Sequence, residues 1–313
     1  MRGQRVTRGL RVVRHADPRA FLDRAEPWLL QREAENNLPL GVAASLVGAR
    51  SARSSDPAPA PSPPASASSG PAAVSPPPLY FATIESGNDV VGCAFRTPPY
   101  KLGLTRMPLD AVPLLARDVA AVYDAIPAVL APNPVARAFG DAWSQLRGVS
   151  ATSGARQRIH ILERVTHPSR MTRGTMRPAG RADIPLVARW LESFVRESGL
   201  SDPGDPLARA RRLCGGEGGS RLLALWEDGG PVSMAGFPAR TRHGVRIGYV
   251  FTPDEHRRRG YATALVAHLS SHALDLGFSH CVLYTDLANP TSNKIYREVG
   301  YRPLQDVTDV EFE

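Results

Sequence analysis

The residues with the most chemistry in them run Val250-Phe251-Thr252-Pro253-Asp254-Glu255-His256-Arg257-Arg258-Arg259-Gly260-Tyr261-Ala262-Thr263. A strand-like run ends at Thr252, an arginine-rich turn follows, and a helical pattern opens on a Gly-x-Ala. The first N–H groups of a helix have no partner inside it, and the macrodipole adds positive potential at that end. Gly260 and Ala262 carry little or no side chain, so an anion can approach this backbone closely. Arg257, Arg258 and Arg259 add positive charge around it. These are the makings of a diphosphate site. The chain contains neither G-x-x-x-x-G-K-[ST] nor G-x-G-x-x-G at this place, so the turn is not a nucleoside-triphosphate loop or a dinucleotide fingerprint.

One strand further on comes a second block, Asn289, Ser292, Tyr296, Gly300 and Tyr301, spaced N-x-x-S-x-x-x-Y-x-x-x-G-Y. The two blocks together, R-x-x-G-x-A after a strand and then this helix, resemble the signatures of the GNAT (GCN5-related) N-acetyltransferase superfamily. Ser292, where the family carries Ala, is the one departure. The resemblance covers residues 173–313. It implies a GNAT fold, acetyl-CoA as acyl donor, no metal, and a primary amine on a small molecule or peptide as acceptor. It also implies roles. Val250, Phe251 and Thr252 would present backbone groups to the pantetheine arm. Arg257 to Ala262 (Arg258, Arg259, Gly260 and Tyr261 between them) would hold the pyrophosphate, with a further hydrogen bond from Thr263. Asn289 would bind the cofactor near its thioester, and Tyr296 would be the general acid for the departing thiolate. The amine would attack directly, with both ligands bound. A non-catalytic acyl-CoA-binding sensor is the alternative, and it would have no need of an acid at position 296.

Read without the resemblance, several of these residues have plainer roles. Tyr296 lies in a helix beside Ile295 and Val299 and can equally line a core; Asn289-Pro290 can equally be a helix cap. His256 is expected to face solvent in the turn and His280 to be a strand residue, so neither is read as a metal ligand or base. Cys281, beside Val282 and Leu283, reads as a buried structural thiol. The general base stays open among Glu192, Glu227, Asp286 and an ordered water.

The elements that must position these residues follow from periodicity. In residues 173–313 the pattern predicts strands at 175–177, 221–226, 231–237, 246–252 and 280–285, and a final strand pair within 302–312. Helices are expected at 183–198, with Asp183 as N-cap, and at 206–213, 261–276 and 290–299. In residues 1–172 strands are expected at 10–13, 80–85, 90–97, 102–106, 126–130 and 158–165, with helical sequence over 17–47 (interrupted at Pro39), 109–123 and 135–146. The order β-α-α-β-β-β-α-β-α-β thus occurs twice, which predicts an α/β chain of tandem GNAT folds, each a mixed central sheet flanked by helices. The place in the first half that corresponds to the diphosphate turn reads LGLTRMPL over Leu102–Leu109. It has one arginine, no Gly-x-Ala, and Pro108 where a donor would be needed. Residues 133–148 have no tyrosine at the place corresponding to Tyr296. The first half is therefore expected to be a degenerate domain that shapes or covers the active one.

The composition sets outer limits. The 313 residues suit one or two domains. No run approaches the roughly 20 apolar residues that span a bilayer, and the N-terminus has no apolar core of a secretory signal. Three widely spaced cysteines make neither a disulfide framework nor a metal cluster, and a cytoplasmic location is expected. The net charge is +8, with arginines at positions 2, 5, 8, 11 and 14 forming a basic arm. That arm is read as a solvated tail; no aromatic residues interleave with it as a platform for single-stranded nucleic acid would require. Of the 28 residues of 51–78, 24 are Pro, Ser or Ala, so this tract is expected to be a disordered insertion. The acceptor and the oligomeric state are not legible in the chain.

Overall fold

Apolar residues recurring at helical spacing, and strand-like runs between them, make twelve strands and eight helices among the described residues of the computed structural model, which are 9–54, 77–167, 172–198, 204–214 and 223–313. The first half comprises β1 (Leu10–Arg14), α1 (Pro18–Leu29), α2 (Asn37–Ser54), β2 (Tyr80–Ser86), β3 (Asp89–Arg96), β4 (Leu102–Leu104), α3 (Val112–Ala120), β5 (Ala128–Pro132), α4 (Asn133–Arg147) and β6 (Ala151–Leu162). The second comprises β7 (Thr175–Pro178), α5 (Ile184–Ser198), α6 (Pro206–Leu213), β8 (Leu223–Glu227), β9 (Pro231–Arg240), β10 (Gly244–Phe251), α7 (Tyr261–Asp275), β11 (His280–Asp286), α8 (Pro290–Val299) and β12 (Arg302–Phe312).

Some boundaries differ from expectation for identifiable reasons. Pro39 does not interrupt the helical sequence of 17–47. It lies in the first turn of α2, where its missing N–H has no helical partner to lose. The break falls at 33–36, where the Asn36 amide donates to the Leu29 carbonyl (2.9 Å) and the Asn37 amide to that of Ala34 (2.8 Å). Asp183 stands immediately before α5, where it ends a 3-10 turn (Arg181–Asp183), and its carboxylate reaches back to accept from the Gly180 N–H at 2.7 Å. The expected strand pair over 302–312 is one strand with two irregularities in its pairing. Residues 51–54 of the Pro/Ser/Ala tract continue α2, and 55–76 lie outside the described residues. Of the five N-terminal arginines, Arg2, Arg5 and Arg8 lie outside the described residues. Arg11 pairs with Glu85 (2.7 Å) and Arg14 with Asp118 (3.4 Å), so these two belong to the sheet and not to a solvated arm.

All twelve strands form a single sheet in the order β1-β2-β3-β4-β5-β12-β6-β11-β10-β9-β8-β7. The sixth strands of the two halves have traded places. β12 pairs antiparallel with β5, β6 pairs antiparallel with β11, and the two exchanged strands pair with each other. The cores interlock accordingly. Val310 and Phe312 of β12 pack in the first-half core, Phe312 against the rings of Phe139 (6.5 Å) and Trp143 (6.0 Å). Leu162 of β6 is buried in the second-half core under α7. Helices cover both faces: α7 and α8 pack on one side of the second half, α5 and α6 on the other.

Candidate active site

β10 and β11 run parallel, but their pairing covers only Gly244↔His280, Val245↔Cys281 and Arg246↔Val282. Beyond that rung β10 continues to Phe251, bonded on its other side to β9, while β11 continues to Asp286 bonded to β6. The strands therefore fork, and the facing backbone edges within the fork lack strand partners. A strand edge of this kind accepts an extended, amide-bearing ligand. Two register shifts between β10 and β9 flank the fork, and Tyr249 has a left-handed φ of 55°. Outside glycine that conformation costs roughly 1–2 kcal/mol and concentrates at functional places.

Side chains of β10 alternate. Val245, Ile247 and Val250 pack with the α7 core, while Tyr249 and Phe251 pack with α5, Phe251 beside Trp190 and Tyr249 edge-on to Phe194. Thr252 ends the run, its hydroxyl 2.9 Å from that of Ser233, which also donates to the Phe251 carbonyl.

The turn after β10 is shaped by its backbone. Asp254–His256 form a 3-10 turn, Arg258 has φ 62°, and Gly260, the N-cap of α7, has φ 83°. A Cβ on Gly260 would meet only Thr172 Cβ, at 3.8 Å, so space is ordinary and the left-handed backbone is what favours glycine. α7 has no side-chain cap, whereas Asp17, Asp205 and Asn289 cap α1, α6 and α8. The N–H groups of Tyr261, Ala262 and Thr263 thus open on a helix start left for an external acceptor. The Thr172 hydroxyl fixes the turn by donating to the Arg259 carbonyl (2.9 Å), and the Tyr261 phenol donates to Asp228 (2.5 Å).

The three arginines are not equivalent. Arg257 turns back into the protein: its Nε donates to the Thr252 carbonyl at 2.8 Å, and its guanidinium pairs with Asp254 (2.5 Å) and Glu197. Arg258 and Arg259 are exposed beside the open helix start.

Asn289 caps α8, accepting from the Ser292 N–H (3.1 Å). Tyr296 is buried, edge-on to Tyr301 at 5.9 Å, and its hydroxyl has no hydrogen-bond partner among the described residues. Burial pushes its phenol above the ordinary value of 10, so it stays protonated at neutral pH. Of the candidate bases, Glu227 is held by Arg177 (2.8 Å), Asp286 accepts from the Ala288 N–H (2.8 Å), and Glu192 is exposed on α5. His256 is half-buried, its Nδ1 enclosed without a partner; His280 is packed against Gly244. Cys281 is buried, and burial first among the causes raises its thiol to about 12. No group of side chains suited to hold a metal occurs among the described residues.

Tyr249 and Arg246 had no signal in the sequence. Their position follows from the bulge and the fork, both products of strand pairing.

Residues 187–301, which span the fork, the turn and α8, match the model of the Acetyltransferase (GNAT) family. No curated protein matches the chain. A GCN5-related N-acetyltransferase from Kribbella flavida is 16% identical, with 71% of this chain and 88% of that one covered and a TM-score of 0.52. A protein from Drosophila is 13% identical, with 74% and 79% covered and a TM-score of 0.53. A GNAT-family acetyltransferase from Colwellia psychrerythraea is 13% identical over 75% and 86%, with a TM-score of 0.46. At such identities the likeness is one of fold. The chain thus has the mixed α/β fold of GNAT proteins, and its residues 187–301 are similar to the GNAT acetyltransferase family.

Proposed function

We propose that the protein is an acetyl-CoA-dependent N-acetyltransferase that modifies a primary amine by direct attack, with donor and acceptor bound together. The observation that carries this reading is the fork, whose apex at Arg246 and Val282 is followed by the uncapped, glycine-opened start of α7. An extended pantetheine arm suits the unpaired strand edges, and a diphosphate suits the free N–H groups of Tyr261, Ala262 and Thr263. Acetyl-CoA supplies the acyl group activated as a thioester.

The chain's own residues do the rest. Val250, Phe251 and Thr252 line the fork with backbone groups. Gly260 sets the turn, Arg258 and Arg259 add screened positive charge, and Arg257 holds the turn's shape through Thr252 and Asp254. Asn289 fixes the start of α8 and so the placing of Tyr296. The buried phenol of Tyr296 keeps its proton for delivery to the leaving thiolate. Holding both reactants at one apex is a large share of what such a site contributes to rate.

In the same reading, residues 1–172 are a second GNAT-like half that binds no acetyl-CoA. Its α3 begins from a 3-10 turn with N-cap Ala111 and has a proline in its first turn, in contrast to the left-handed glycine that opens α7. The buried, unpaired thiols of Cys93, Cys214 and Cys281 suit a reducing, cytoplasmic location; no described helix is long and apolar enough to cross a membrane.

The test is thiol release from acetyl-CoA across a panel of primary amines, with mass-spectrometric detection of the product. Amine-dependent release at least tenfold above hydrolysis supports the reading. Acetyl-CoA binding without transfer to any amine would convert the site to that of a sensor.

A further inference from the structure

On the α6 side of the sheet, at the apex of the fork, a cleft of about 400 Å³ opens between the two halves. The second half contributes Arg212, Arg246 and Tyr249; the first contributes apolar walls from Leu38, Phe95 and Leu130. Arg246 lies between Val245 and Ile247, which pack under α7, so its side chain emerges on the opposite face, into the cleft.

The charge in this cleft is one-sided. Four cationic side chains, Lys101, Arg209, Arg212 and Arg246, line it and, among the described residues, no Asp or Glu does; the buried Arg209 has an interaction of its own. Lys101 is matched from outside the lining by Asp309, at 2.5 Å. Arg212 and the half-buried Arg246 form no ion pair or hydrogen bond among the described residues. A half-buried guanidinium without a counter-charge has lost part of its hydration and received nothing for it, which is why such groups are normally paired. Its planar fork of donors matches a carboxylate or a phosphoryl group. Arg246 is also the last residue of β10 still joined to β11, so a ligand anchored on it sits beside the opening of the fork.

We infer that this cleft is the acceptor site, and that the acceptor is an amine with an apolar body and an anionic group, held by Arg246 with help from Arg212. The inference rests on the acyl-transfer reading for the word acceptor, but its anion site can be tested apart from it. The first half would then be a wall of the specificity pocket, with Leu38, Phe95 and Leu130 against the apolar body and Tyr249, in its left-handed bulge, between the pocket and the fork.

The experiment is a calorimetric titration of the full chain, saturated with CoA, against L-phenylalanine, L-leucine, their carboxamides, and the phosphonate analogue of phenylalanine. The free acids or the phosphonate bind at least tenfold more tightly than the carboxamides, and the ratio of acid to phosphonate says which anion fits. Arg246→Met, which keeps the aliphatic stem, abolishes that preference by weakening the acids about tenfold while leaving the carboxamides and CoA unchanged. Arg246→Lys restores part of it. Carboxamides binding as well as acids, an unchanged acid affinity in Arg246→Met, or no binding by any probe would each overturn the inference. Thiol release from acetyl-CoA is read in parallel. Acid binding without transfer to any amine sinks the acyl-transfer function and leaves the anion site standing; transfer that favours carboxamides does the reverse.

Discussion

Arg257 donates from Nε to the carbonyl of Thr252 at 2.8 Å, closing the turn between the end of β10 and the start of α7. Its guanidinium is further committed to Asp254 and Glu197, whereas Arg258 and Arg259 are exposed, Arg259 beside the Tyr261 phenol. The adjacent arginines should therefore separate in their effects. Neutralising Arg258 and Arg259 together to Gln is expected to leave thermal stability within about 0.5 kcal/mol and to weaken CoA in a way that fades at high salt. Arg257→Gln is expected to weaken CoA at all salt concentrations, because the turn itself loosens. Titrations of CoA at low and high ionic strength check this, and an equal salt dependence for both variants would contradict it.

Tyr296→Phe removes only the phenolic hydroxyl from a buried ring. Turnover is expected to fall about 10²-fold or more while CoA affinity holds. Because burial raises this phenol above its ordinary 10, the proton is present throughout the neutral and mildly alkaline range. Wild-type kcat should therefore show no loss from this group up to about pH 10. A pH–rate profile and the variant's kcat settle both points; unchanged turnover in Tyr296→Phe would sink the acid role.

His160 lies on β6 in the seam between the halves, its Nε2 3.1 Å from the Thr285 hydroxyl and its Nδ1 buried without a partner. Burial, with Arg158 next, lowers it from 6.5 to about 4. The folded state keeps the ring neutral, while the unfolded chain takes up a proton below about pH 6.5. The stability held above that pH is thus lost as pH falls from about 6.5 towards 4. The full displacement corresponds to about 3 kcal/mol. Denaturant melts over this range should show the loss in wild type and a smaller pH dependence in His160→Gln.

The exchange of β6 and β12 makes each half depend on a strand from the other. Calorimetry is expected to show one cooperative transition, not two. Removing residues 307–313 strips Val307, Val310 and Phe312 from the sheet and from Phe139 and Trp143, and should unfold both halves together. Two separate transitions in the full chain would argue against an interlocked sheet.

How much of this was legible in the sequence depends on the range of the interactions involved. Gly260 and the Asn289–Tyr301 block impose local backbone conditions, a left-handed N-cap and a capped helix with a glycine stop, so they read directly from the chain. The element order read well for the same reason. The strand exchange did not, because nothing in the residues of β12 says whether it pairs with β5 or with β11. Nor did the fork, the bulge at Tyr249, or the cleft wall from Leu38 and Phe95, which exist only once distant segments are brought together. Arg257 read as an anion ligand because its partners, Thr252 aside, compete for a side chain whose direction the sequence does not specify.

The most direct test of the central claim is CoA affinity after a substitution of Gly260 by Val. The left-handed φ of 83° admits a β-branched residue only with strain, although nothing crowds the site. If the start of α7 cradles the diphosphate, the Kd for CoA should rise at least tenfold while the variant's unliganded fold, followed by far-UV circular dichroism, persists. A variant that binds CoA as tightly as wild type would contradict the account.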